Sequence, residues 1–351
     1  MAKILILGVG AMGTALTVPL CQNGWEVNLW GTEFDVEVLE EMVKRGRHIR
    51  LGIALPQGVR LFPFAELERA CRDVEIAVLA VASAGVSSVM QRLAVFLREG
   101  MIIVNVAKGL DEDPETGKLL TMLDVIESKL PQALDSKIPL VAVGGPSIAK
   151  EVAERIPTEV IFASKDLVAA RYCRRVFTTP VYKAKITTDV IGVELCAALK
   201  NVFAVAVGMC NGIKDKMNTG VEMHNAKATL LSEAAVELAK IVRAMAGREE
   251  TVLGPAGIGD LYVTTVGGRT CLFGEMLGSG LSPGEALEEM KERHLTVEAY
   301  PTAEKVYKLA QVLDKSGRLK INDLPLLKQI HAVLFEGKAA KAAIWDYFAA
   351  L

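Results

Sequence analysis

The sequence predicts an α/β protein: an N-terminal Rossmann-like, doubly wound parallel sheet followed by an all-α C-terminal domain. Three observations predict it. Short aliphatic runs alternate with stretches of helical period in the first half, and the alternation stops near residue 190, where helical stretches continue alone. Half of the residues are apolar (51%) but few are aromatic (5%), a composition suited to helices stacked on a parallel sheet. At 351 residues the chain exceeds one hydrophobic core, so two domains are expected, at 1–189 and 190–351.

Lys3–Leu7 is a short aliphatic run ending at Gly8; a helical stretch from Met12 to Asn23 leads to a second run, Val27–Trp30. That order is a βαβ unit. Glu75–Val81, Met101–Val106, Pro139–Val143 and Glu159–Ala163 are further candidate strands of a parallel sheet. Beyond Asp189, Ile191–Val207, Ala226–Met245, Pro283–Arg293, Ala303–Leu313 and Leu324–Leu334 read as helices, and only the run near Tyr262 reads as strand. A cleft between the two domains is the expected site.

Forty basic and 42 acidic residues give a formal charge of -2, which removes any field for holding nucleic acid or anionic lipid non-specifically. The six cysteines are scattered without CxxC pairs or histidines at ligand spacing, so reduced core thiols and no metal are expected. The N-terminal apolar run carries three spaced glycines and Pro19, unlike an export signal. Apolar runs such as Ile76–Val86 are shorter than the roughly 18 residues of a membrane helix. A soluble, cytoplasmic protein is expected.

Gly8-Val9-Gly10-Ala11-Met12-Gly13 fits GxGxxG after a strand and at the start of a helix, where backbone amides hold a pyrophosphate. Past the second strand, Glu33 is the candidate for a ribose 2′-hydroxyl, while Thr32 is equally placed to border a 2′-phosphate with Arg45, Arg47 and Arg50 nearby. NAD and NADP therefore both stay open as cofactor.

Lys108 follows a strand, where sites in parallel sheets form, although a surface lysine at a turn before Gly109 fits the same position. Lys200 is the only charged side chain from Leu195 through Ile213. Such a lysine either reaches solvent or lines a cleft with its pKa lowered, as a general acid/base needs, and Asn201 beside it favours the second. Asp260, in Gly257-Ile258-Gly259-Asp260-Leu261, is a partner for Lys200 or a helix cap. Gly267-Gly268-Arg269-Thr270 opens a helix over Cys271–Leu277, as a phosphate clamp or an ordinary turn. Gly144-Gly145-Pro146-Ser147 brings amides and a hydroxyl to the end of a strand and opens the helical stretch Ile148–Arg155. His48, His224, His294 and His331 show no triad-like spacing and are read as structural.

Together these segments resemble the NAD(P)-dependent glycerol-3-phosphate dehydrogenases over nearly the whole chain. The resemblance runs in order through Gly8–Leu16, Asn105-Val106-Ala107-Lys108-Gly109, Gly145-Pro146-Ser147-Ile148-Ala149-Lys150-Glu151, Ala198-Leu199-Lys200-Asn201, Gly259-Asp260-Leu261 and Val297-Glu298. It implies that Lys200 exchanges a proton with the substrate's C2 oxygen while hydride passes to or from the nicotinamide, and that Asp260 holds the lysine. It also implies that Lys108 meets substrate and cofactor, that Gly145 and Ser147 line the substrate site, that Ala149 and Glu298 approach the cofactor, and that Arg269 with Gly268 and Thr270 grips the phosphate. The implied partner is a small phosphorylated substrate; a homodimer is compatible with it, and the residues are silent on assembly. Supply of glycerol phosphate for phospholipid synthesis or glycerol metabolism is the implied role.

Three positions depart from the family pattern. Thr270 replaces a usual Asn, Ala299 a common Gly, and Met223-His224-Asn225-Ala226-Lys227 an Asp-Asn-Thr-Lys-like segment. The alternatives are a β-hydroxyacid or ketopantoate-type dehydrogenase, which needs a carboxylate clamp, and a non-catalytic NAD(P)-sensing protein, which has no use for Lys200.

Overall fold

The computed structural model describes residues 3–113, 115–218 and 220–350; Met1 and Ala2, the start of the segment read as unlike an export signal, lie outside them. The chain divides into two compact units, one of Met1–Lys108 with Leu120–Glu194 and one of Gly109–Leu119 with Leu195–Leu351.

The first unit is built on an eight-stranded sheet, formed by Lys3–Leu7 (β1), Glu26–Trp30 (β2), Val59–Phe62 (β3), Val74–Leu79 (β4), Ile102–Asn105 (β5), Leu140–Gly144 (β8), Thr158–Ala163 (β9) and Tyr182–Thr187 (β10). Leu110–Glu112 (β6) and Leu119–Thr121 (β7) form a separate two-stranded sheet. The order is β10-β9-β8-β5-β4-β1-β2-β3. In β1 and β4, Ile4, Leu5, Ile6, Leu7, Ile76, Val78 and Leu79 are fully buried, as strands covered on both faces must be.

The sheet departs from the all-parallel expectation at one place, where β8 pairs antiparallel with β9. An antiparallel neighbour needs no crossover helix, and only the short helix Ala149–Ala153 lies between them. The full crossover helix Leu167–Phe177 then returns the chain so that β10 runs parallel to β9. The edge strands β3 and β10 carry Arg60, Lys183 and Lys185 among their apolar residues, so neither is a continuous aliphatic run.

In the second unit the helices Val190–Met217, His224–Ala244, Arg269–Ser279, Pro283–Glu292, Ala299–Lys315, Pro325–Phe335 and Ala340–Ala349 dominate; the first of them begins in the other unit. The run near Tyr262 is a helix, Asp260–Thr265, and not a strand, because a π-turn over Pro255–Gly259 leads directly into it. The expectation about apolar runs also needs correcting. Val190–Met217 is long and apolar enough to cross a membrane, with mean hydropathy 1.9 over its window, but 89% of that window is buried inside the protein. It is a core helix.

Its crossing with Arg269–Ser279 is set by two glycine pairs. A Cβ at Gly208 would come within 2.5 Å of the Cys271 carbonyl oxygen, and one at Gly212 would overlap that of Glu275. From the other side, Gly274 and Gly278 meet the carbonyls of Val205 and Met209. Glycines four apart lie on one helix face, so the two backbones pack in direct contact there.

Candidate active site

In the first unit, Gly8 and Gly13 are excluded from bearing side chains: a Cβ at Gly8 would lie 2.7 Å from the Ala80 carbonyl oxygen, and one at Gly13 would overlap that of Gly8. Gly10 differs. A Cβ there would meet no protein atom within 4 Å, and Gly10 caps the helix Ala11–Gln22 without a side-chain hydrogen bond. The helix start carrying Ala11 and Met12 therefore faces open space, as an approaching pyrophosphate requires.

Around this loop the strand ends bring further predicted residues. Buried Asn105 closes the turn after β5, donating to the Ala107 carbonyl (3.0 Å) and accepting from the Ala107 amide (3.1 Å). That turn presents Lys108, whose Nζ donates to the Gly145 carbonyl at 3.3 Å. Ser147 lies 3.9 Å from the Met12 sulfur, linking the segment after β8 to the glycine helix, and Ala149 opens the next helix. His48 is buried beneath the loop, its Nδ1 accepting from the Leu51 amide at 3.1 Å. Burial lowers its pKa, with a hydrogen bond to the Val9 backbone opposing.

At the end of β2, Thr32 donates its backbone N–H (2.9 Å) and its hydroxyl (2.7 Å) to Asp35. The hydroxyl's proton is thus engaged within the turn. Of the two predicted residues, Glu33 is the one facing outward, 3.3 Å from Arg92.

The second unit assembles the remaining predicted residues. Lys200 is 7% exposed and donates to Asp260 at 2.5 Å, and Asp260 is 1% exposed. Lys200 is therefore no isolated buried cation: the carboxylate supplies its counter-charge and fixes Nζ. Asp260 is placed by the π-turn, where a Cβ at Gly257 would overlap the Val252 carbonyl.

On the same turn of helix, Asn201 accepts from the Thr270 hydroxyl (3.4 Å) and donates to Glu298 (3.3 Å). Glu298 also accepts from Arg269 at 3.3 Å, and Arg269 donates to the Thr296 hydroxyl as well. Gly268, at φ +89, caps the helix Arg269–Ser279 without a side-chain bond, leaving its first amides to an external acceptor. A buried, carboxylate-paired lysine and an uncapped helix start with an arginine thus belong to one cluster of side chains, which can hold a phosphorylated small molecule and move a proton at one of its oxygens.

Residues 3–170 match the family described as NAD-dependent glycerol-3-phosphate dehydrogenase N-terminus, and residues 189–345 match the corresponding C-terminus. An NADP(+)-dependent glycerol-3-phosphate dehydrogenase of Archaeoglobus fulgidus is 39% identical over 345 residues, covering 98% of both chains. The chain belongs to the NAD-dependent glycerol-3-phosphate dehydrogenase family. A glycerol-3-phosphate dehydrogenase [NAD(P)+] of Geobacter metallireducens is 34% identical, covering 98% of this chain and 96% of that one. The solved glycerol-3-phosphate dehydrogenase of Coxiella burnetii superposes with a TM-score of 0.82 at 27% identity, over 99% of this chain and 98% of that one. The chain is thus a glycerol-3-phosphate dehydrogenase family enzyme, with NAD or NADP as cofactor, and the β-hydroxyacid, ketopantoate and non-catalytic readings are not favoured.

For this family member, sequence reasoning missed Thr296, Arg92 and the glycines of the helix crossing, and it quoted Asn105 within a motif without giving it a role. Of those missed, only the glycines had a readable signal, the spacing of four in Gly208/Gly212 and Gly274/Gly278.

Proposed function

We propose that this chain interconverts sn-glycerol 3-phosphate and dihydroxyacetone phosphate, with Lys200 holding the proton exchanged at the C2 oxygen. The observation that carries this reading is the buried Lys200–Asp260 pair one residue from the Asn201–Thr270–Glu298–Arg269 network. Reducing a ketone requires a hydride at carbon and a proton at oxygen; when bound, the nicotinamide supplies or accepts the hydride. Asp260 keeps Nζ oriented. Arg269 and the amides after Gly268 take the phosphate, and Thr270 contributes a hydroxyl where relatives of the family pattern carry an amide.

The first unit's residues fit an anionic dinucleotide, since the space over Gly10 is open and the helix beyond it is uncapped. We assign pyrophosphate binding to Gly8, Gly10, Ala11, Met12 and Gly13, the adenosine ribose to Thr32 and Glu33, and approach to the cofactor to Ala149, Arg269 and Glu298. Lys108, with Gly145 and Ser147 beside it, lines the substrate site and also meets the cofactor. A cytoplasmic location and supply of glycerol phosphate for phospholipid synthesis or glycerol metabolism complete the reading.

The test is absorbance at the reduced-nicotinamide band with dihydroxyacetone phosphate and either NADH or NADPH, for wild type and Lys200→Ala. Oxidation by wild type that collapses in the variant supports the assignment. No oxidation of either cofactor by wild type overturns it.

A further inference from the structure

We propose that Arg92 is the residue that binds the adenosine 2′-phosphate, so that the Glu33–Arg92 pair sets the choice of NADP over NAD. This rests on the reading of Gly8–Gly13 as the dinucleotide loop. In such a frame the residues just past the second strand meet the adenosine ribose. Asp35 closes that turn through its two hydrogen bonds from Thr32, which leaves Glu33 as the outward carboxylate, its side chain 36% exposed. An unpaired carboxylate there accepts from a ribose hydroxyl and repels a phosphate. This one is paired: Arg92 Nη2 lies 3.3 Å from Glu33 Oε1.

Arg92 comes from another element, the helix Ser83–Leu93, and its plane is fixed from below. The guanidinium lies over the Phe64 ring, 4.6 Å from the centroid. Phe64 is in turn anchored by fully buried Trp30, whose Nε1 donates to the Phe64 carbonyl at 3.1 Å and whose ring lies 5.7 Å away. A stacked guanidinium loses little freedom on binding a phosphate, and it has five N–H donors, of which the Glu33 contact engages one. The side chain is 46% exposed, so the rest of the fork is reachable. Of the arginines suggested by sequence, Arg45 is ion-paired with Glu41 of its own helix and Arg47 donates to the Gly52 carbonyl, whereas Arg92 is the one paired with Glu33.

The probes are adenosine 2′,5′-bisphosphate and 5′-AMP, which differ only in the 2′-phosphate, titrated calorimetrically into the full chain. Alongside, kcat/KM is measured with NADPH and with NADH. Wild type is expected to bind the bisphosphate more tightly than 5′-AMP. Arg92→Ala lowers that preference, and the NADPH-to-NADH ratio, by about 10- to 100-fold, the size of a lost charge-assisted contact. Arg92→Lys, keeping the charge without the fork, falls between. Glu33→Gln shifts both quantities a few-fold the other way. Equal losses for both probes, a wild type indifferent to the 2′-phosphate, or the selective loss appearing in Arg50→Ala in place of Arg92→Ala each overturn the proposal. Wild type binding neither probe sinks the dinucleotide reading itself, an outcome distinct from all of these.

Discussion

The two units build their candidate binding surfaces from different material. In the first, the Gly8–Gly13 loop offers backbone, and a side chain on Gly10 would meet no protein atom. In the second, the work is done by side chains of Lys200, Asp260, Asn201, Thr270, Arg269 and Glu298, while Gly208, Gly212, Gly274 and Gly278 are small because another helix fills the space. A glycine that admits a ligand and a glycine that admits a neighbouring helix look alike in sequence. They respond differently to an added methyl group.

The largest effect separates chemistry from binding. Lys200→Ala is expected to lower kcat by about 10²- to 10⁴-fold, the usual weight of a positioned acid/base. Affinity for 5′-AMP, a first-unit ligand on this reading, should change little, as calorimetry can check. Loss of nucleotide affinity together with turnover would break the division of labour between the units.

Next come the glycines. Gly212→Ala places a methyl group on the Glu275 carbonyl and is expected to destabilise the second unit by about 3 kcal/mol, read as a lowered denaturant midpoint. Gly10→Ala meets no protein atom, so the midpoint should hold while affinity for adenosine 2′,5′-bisphosphate falls by about tenfold. If Gly10→Ala melts the fold, or Gly212→Ala leaves it intact, the distinction between the two kinds of glycine fails.

The same contrast explains what was legible in sequence. The backbone site announces itself by spacing, since three glycines between a strand and a helix are fixed by local geometry. The central strands β1, β4, β5 and β8 are legible for a related reason: burial on both faces demands aliphatic runs. At the sheet edges that demand lapses, and β3 and β10, with Arg60, Lys183 and Lys185, do not stand out. The side-chain network is legible only as separate candidates. Lys200 and Asp260 are 60 residues apart, and Arg269 reaches Thr296 across 27, so their meeting depends on tertiary packing that the sequence around each residue does not encode. The Thr32 hydroxyl shows the converse: its position past β2 was readable, but its engagement by Asp35 was not.

The smallest expected effect asks whether the two units also differ in their response to pH. In the second unit, Glu237 is fully buried and accepts from the Leu326 amide (2.5 Å) and the Leu327 amide (2.9 Å) at the start of the helix Pro325–Phe335. Burial outweighs those bonds and pushes its carboxyl up to about 8. In the first unit, burial pushes Glu194 up to about 7 but pulls His48 below its usual 6.5. A raised carboxyl keeps its proton when the unfolded chain has released it, so its contribution is complete below about 4.5 and is lost as pH rises through the folded value. His48 acts oppositely, since the unfolded chain takes a proton that the folded one refuses, and stability falls as pH drops below 6.5. These two groups partly offset one another in the first unit, whereas Glu237 acts on the second. Between pH 6 and 9 the second unit should therefore weaken with rising pH by an amount on the order of 1 kcal/mol, and Glu237→Gln, which has no proton to release, should flatten that slope. Denaturant midpoints across this range decide the matter: an undiminished slope in Glu237→Gln would place the pH response elsewhere and remove this difference between the units.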